Sequence, residues 1–209
     1  FPYTTLFRSV SLSAIVIGLI LGWLICLGLN SPRRLVRCFC KTYVSFYRGT
    51  PLLVQLILIF YALPTVGITL SPLLAAVVAL SLNTAAFQGE ILRAGFKMLP
   101  KGQLEAARDF GFSAAQTLFY IQMPQVLRAM MPALINETID IIKNSALVSV
   151  VAVHELMRVT QTLASTTYRP LEFYTACGLL YFLTSWGLSI VGTRLEKNRS
   201  SSAQRVLAQ

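Results

Sequence analysis

Residues 10–29 read VSLSAIVIGLILGWLICLGL, twenty positions without a charge. A helix that crosses a bilayer needs about 20 mainly apolar residues. The uncharged run extends from Val10 to Pro32, and Leu12 to Leu29 is nearly all apolar. That stretch decides the fold class, an all-α integral membrane protein, and the rest of the chain agrees with it. Of 209 residues, 55% are hydrophobic and 12% are charged, about half the charged share of a soluble domain. Mean hydropathy is +0.65. Disorder and collagen are excluded by the same apolar content, with Gly 12 and Pro 9 ordinary for this length. One histidine and four cysteines, two of them inside apolar runs, supply no zinc ligand set and predict no disulfide.

Residues 1–9, FPYTTLFRS, resemble the conceptual translation of a sequencing adapter. They are expected to be an artefact and are set aside for fold and charge. Downstream, residues 49–89 carry no charge, enough for two crossings. Pro64, Gly67, Ser71 and Pro72 punctuate them, and such residues mark turns. Helices are predicted near 51–63, with Thr50 as N-cap and Pro51 as first helical position, and near 72–89. A fourth is predicted over roughly 129–153 and a fifth over 173–193. That makes five crossings.

Charge orients them. Arg33, Arg34, Arg37, Lys41 and Arg48 lie between the first and second spans. Arg93, Lys97, Lys101, Arg108 and Arg128 lie between the third and fourth, and Arg194, Lys197, Arg199 and Arg205 follow the fifth. Only Arg158 and Arg169 lie on the opposite side. The positive-inside rule puts the C-terminus in the cytoplasm and the N-terminal side of the first span outside. These basic loops are read as topology, and the net charge of +10 then implies no nucleic-acid partner. Tyr43, Phe46, Tyr47, Tyr168, Phe173 and Tyr174 near span ends are read as interfacial anchors. His154 and Glu155, after the fourth span, are read as solvated surface residues.

The cytoplasmic stretch from Glu90 to Arg128 is too long and too patterned for a plain connection. Pro100 and Gly102 open a run of good helix formers, Gln103 to Phe110, which stops at Gly111. Glycine past a helix end takes positive φ without strain. Ser113 and Gln116 then form an S-x-x-Q capping signal for a second helix, and Pro124 breaks or kinks it. The prediction is a helix–turn–helix whose small Ala106 and Ala107 allow another surface to approach.

Glu105-Ala106-Ala107, Gly111, Ile121 and Pro124 stand at the spacing E-A-A-(x)3-G-(x)9-I-x-x-P. This resembles the loop of permease subunits of bacterial ABC importers. Arg48-Gly49-Thr50-Pro51-Leu52-Leu53-Val54-Gln55, Leu82-Asn83, Pro100-Lys101-Gly102 and Lys143-Asn144-Ser145-Ala146-Leu147 resemble the polar amino-acid branch of that family. The resemblance implies one MetI-like transmembrane domain over 10–197 with a cytoplasmic tail over 198–209, in the bacterial inner membrane. It implies a second permease subunit, identical or paralogous, a separate cytoplasmic ATPase with a groove into which the loop docks, and an external solute-binding protein that delivers an amino acid. The chain carries no G-x-x-x-x-G-K-[ST] loop, so ATP would be bound by the partner. No cofactor and no bond chemistry are expected of the chain itself.

Ionisable residues inside a span are functional candidates by default. Glu137, Asp140, Ile141 and Asn144 follow i, i+3, i+4, i+7 and share a helical face, while Lys143 can pair with Asp140. One reading is a polar lining of the solute path that meets the ammonium and carboxylate of an amino acid. The other is a structural ion pair at a dimer contact. Asn144 stands where many members of the resembled family carry Asp, which takes a negative charge from that face. Gln55 and Asn83 are read as path-lining or as interhelical hydrogen bonders. Outside the resemblance, a secondary transporter or channel is the rival class, and an opine or osmolyte the rival solute.

Overall fold

The computed structural model describes the backbone of residues 2–151, 153 and 156–207, and side chains at 10–151, 153, 156–190 and 192–194. His154 and Glu155 lie outside the described residues. Every regular element is helical, and no strand occurs among the described residues. The helices are α1 (Pro2–Leu29), α2 (Arg34–Gly49), α3 (Leu52–Ile57), α4 (Pro72–Met98), α5 (Lys101–Asp109), α6 (Ala114–Gln116), α7 (Met123–Asn144), α8 (Leu156–Thr167) and α9 (Pro170–Leu207). Three of them, over Val10–Leu29, Pro72–Met98 and Pro170–Arg194, are long and apolar enough to cross a membrane.

α1 and α4 form the centre of the bundle. Their contact is built on Gly18 and Gly22, a small-x-x-x-small pair that lets two helix backbones approach closely. A Cβ on Gly22 would meet Ala85 O, Gln88 Cβ and Gly89 N, each at 3.1 Å. On α4, Ala75, Ala76, Ala79, Ala85 and Ala86 are all fully buried. Small side chains therefore set the spacing, and α7 packs on α4 in turn. One apolar cluster joins Leu56 and Ile59 to Ala79, Leu80, Ile141 and Val148. A second joins Cys26, Leu92 and Val126.

Two helices were not expected from the sequence. The basic stretch after α1 is not a loop but α2, bent by 108° from the α3 segment that follows. The stretch after the fourth predicted span holds α8. Boundaries shifted elsewhere as well. The helix predicted over 51–63 starts at Leu52 with Pro51 at the N-cap and no side-chain cap. Thr50 Oγ1 instead donates to Phe46 O at 2.8 Å. From Leu58 the helix widens to a π turn and then tightens to a 3-10 turn ending at Val66. The helix predicted over 129–153 starts at Met123, and beyond Asn144 it tightens to a 3-10 segment, Ser145–Val151. Tyr43 and Tyr47 are packed as well. Both pack with Cys40, Val44, Leu29 and Ala86, and the Tyr43 hydroxyl donates to Leu82 O at 2.6 Å.

Candidate functional site

The protruding loop forms much as its residue types dictate. Pro100 occupies the N-cap of α5, where its missing N–H costs nothing. At the other end Gly111 adopts φ 75°. Phe112 N–H donates to Ala107 O and Gly111 N–H to Arg108 O, both at 2.9 Å, the paired bonds of a Schellman turn. The capping box closes in both directions. Gln116 N–H donates to Ser113 Oγ at 3.3 Å, and Ser113 N–H to Gln116 Oε1 at 2.9 Å. Pro124 cannot donate to a carbonyl four residues back, and the ladder just before it widens to a π segment, Thr117–Gln122, where Met123 N–H reaches Leu118 O. The rod is bulged there, and it continues into α7.

Of the motif residues, Glu105, Ala106 and Gly111 are exposed, and Ile121 and Pro124 are half-buried. Ala107 is buried, with 4% exposed. The expectation that both alanines face outward is therefore corrected: Ala106 does and Ala107 packs within the chain. Gln125 Nε2 donates to Gln103 Oε1 at 2.9 Å, which ties α5 to α7. Phe110, Phe112, Phe119 and Tyr120 are exposed around the same loop. They were overlooked in the sequence, where aromatic residues flanking a turn glycine, with no core to fill, were the available signal.

The polar residues of α7 divide between two environments. Glu137 and Ile141 are buried, and Glu137 Oε1 accepts from Thr84 Oγ1 of α4 at 2.8 Å. Asp140 and Lys143 form the anticipated ion pair, Nζ–Oδ1 2.7 Å, yet their side chains are 58% and 52% exposed. Asn144 lies between, half-buried. The shared face is thus a gradient from a buried acid to an open ion pair.

Gln55 and Asn83 come together. Gln55 Nε2 donates to Tyr47 O, Thr50 O and Thr50 Oγ1 at 2.8–3.0 Å, and its Oε1 accepts from Asn83 Nδ2 at 2.9 Å. Asn83 Nδ2 also reaches Tyr47 O at 3.4 Å. These bonds bind the α2–α3 elbow to α4. Arg48 adds a cation–π contact, 5.4 Å above the Phe87 ring, of a kind worth roughly 0.5–1 kcal/mol when exposed.

An apolar helical bundle with a graded polar face and a projecting helix–turn–helix is the build of a membrane transport component. The chain belongs to the family described as binding-protein-dependent transport system inner membrane component, whose model matches residues 14–200. It is 38% identical over 183 residues to the L-cystine transport system permease protein TcyB of Bacillus subtilis, covering 87% of this chain and 78% of that one. It is 38% identical over 188 residues to the arginine transport system permease protein ArtQ of the same species, covering 90% and 86%. A crystal structure of an amino acid ABC transporter with histidines superposes with TM-score 0.87 at 34% identity, covering 94% of this chain and 92% of that one. The MetNI methionine ABC transporter, at 20% identity and TM-score 0.73, shares the fold. Its family makes the chain a transport subunit rather than an enzyme.

Proposed function

We propose that the chain is the permease subunit of an ATP-driven importer of a polar amino acid in the bacterial cytoplasmic membrane. Five crossings, α1, α3 with its continuation, α4, α7 and α9, place the N-terminal side outside and the C-terminal end in the cytoplasm. They form one transmembrane domain over 10–197, followed by a tail. The observation that carries the reading is the Asp140–Lys143 pair, exposed on the surface of a largely apolar helical bundle. Charges at membrane depth face water or protein rather than lipid, so a second permease subunit closes over this edge. The enclosed path meets the solute with Glu137, Asp140, Lys143 and Asn144. Gln55 and Asn83 hold its wall in shape. An extracytoplasmic binding protein delivers the amino acid, a choice supported by the cystine and arginine systems named for the relatives.

The exposed loop, with Glu105, Ala106 and Gly111 on its surface and Ala107, Ile121 and Pro124 supporting it, seats in the cytoplasmic ATPase that binds the ATP. The test is reconstitution in liposomes with a cognate ATPase and binding protein, followed by amino-acid uptake. Uptake is expected only with ATP on the ATPase side. Uptake driven by an ion gradient alone would assign a secondary transporter.

A further inference from the structure

α2 carries more than a topology signal. Its inner face, Cys40 and Val44 with Tyr43 and Tyr47, is buried against α1 and α4. Its remaining surface divides lengthwise. Leu35, Phe39, Thr42 and Phe46 follow i, i+4, i+7, i+11 and form one stripe, with Leu35 86% and Phe39 71% exposed. Arg34, Lys41 and Arg48 recur every seven residues and form a second stripe beside it. The helix contains no acid, and none of its cations joins an ion pair among the described residues. Between the stripes lies an open groove of about 440 Å³ lined by Lys41, Thr42, Ser45 and Phe46. Topology alone requires cations in this stretch, but it requires neither a helix nor their alignment beside an exposed apolar row.

We propose that α2 lies along the membrane surface and binds anionic phospholipid. The Leu35–Phe39–Phe46 stripe enters the acyl boundary, and Arg34 and Lys41 meet headgroup phosphates, with the Thr42 and Ser45 hydroxyls beside them in the groove. Three observations select this occupant. Arg34 and Lys41 join no ion pair among the described residues, the apolar row adjoins them as in interfacial helices, and the 108° bend after α2 sets it crosswise to the segment that follows. The proposal goes beyond the permease reading, since it requires α2 at a membrane surface and not coupling to an ATPase.

The experiment uses the purified full chain and phosphatidylglycerol or phosphatidylcholine with identical acyl chains. Retained lipid is measured by native mass spectrometry. The wild type is expected to prefer phosphatidylglycerol. Each cation near an anionic surface is worth about fivefold in partition, so Arg33→Gln, Arg34→Gln and Lys41→Gln together should lower that preference tenfold or more. A variant with Lys97→Gln, Lys101→Gln and Arg128→Gln, equal in charge lost, should keep it. An unchanged preference in the first variant, or an equal loss in the second, overturns the proposal. A photoactivatable phosphatidylglycerol on the unmutated chain gives an independent answer. Labelling within 34–48 supports the site, and labelling confined to other segments overturns it.

Discussion

The Thr84 hydroxyl donates to Glu137 Oε1 across 2.8 Å, joining α4 to α7 where Thr84 is fully buried and Glu137 nearly so. A hydrogen bond within a protein contributes roughly 0.5–1.5 kcal/mol, and most of the cost of breaking a buried one is the orphaned partner. Thr84→Val keeps the shape and removes the donor. It should lower thermal stability in detergent, whereas Thr84→Val combined with Glu137→Leu should recover part of the loss. A double variant no better than the single one would show that Glu137 is held by something other than Thr84.

The elbow predicts a split between stability and transport. Gln55→Leu takes a donor from the Tyr47 and Thr50 carbonyls and an acceptor from the Asn83 amide, leaving Asn83 Nδ2 only its longer contact with Tyr47 O, and an unsatisfied buried group costs about 1–3 kcal/mol. Folded yield should fall sharply, while the protein that does fold should transport with a near-normal KM. A raised KM at unchanged yield would instead put Gln55 in the solute path.

At Gly111 the test is stereochemical. With φ at 75°, Gly111→Asn should be tolerated and Gly111→Val should not, because a β-branched residue resists the left-handed region. The valine variant should insert normally yet fail to retain the ATPase or to couple hydrolysis to uptake. Glu105→Lys, exposed on the same loop, should have the same phenotype. Near-normal coupling in both would remove the loop from the docking role.

Gly22 tests the α1–α4 contact. Gly22→Leu places a branched side chain where even a Cβ meets backbone at 3.1 Å, so the helices must part and the detergent-solubilised chain should be cut readily by protease. Leu24→Ala, at an exposed position of the same helix, should not differ from wild type.

Tyr168 offers a gain. It takes φ 55° between α8 and α9, a conformation costing an L-residue roughly 1–2 kcal/mol. Tyr168→Gly should raise the melting temperature, and Tyr168→Val should lower it. The reverse order would mean that the tyrosine ring holds the turn.

What could be read in the sequence was local. The uncharged run of α1, the Gly111 turn and the Ser113–Gln116 box each depend on neighbours within a few residues, and each formed as expected. The Gly18–Gly22 pair was equally legible and went unread, because apolar content alone sufficed to place α1. α2 was missed because its cations drew attention to topology, although Leu35, Phe39, Thr42 and Phe46 already stood at helical spacing. The pairing of Gln55 with Asn83 and of Thr84 with Glu137 could not be read at all. Those partners lie 28 and 53 positions apart, and only the packing of α4 against its neighbours brings them together. Likewise, the face of α7 was predictable from its period, but the step from buried Glu137 to open Asp140 depends on which side α4 covers.

Ala114 to Asn144 runs as a continuous helical stretch, widened over Thr117–Gln122 and carrying Pro132 in its interior. At about 1.5 Å per residue it is roughly 45–50 Å long. The end of the projecting loop and the acid at Glu137 thus lie on one helical stretch, with no connecting loop between Ser113 and Glu137. The bulge also sets a phase. Deleting one residue inside it would let the ladder close as plain α-helix and turn the loop by about 100° around the helix axis, with every side chain of the motif still present and aimed at the wrong compass point.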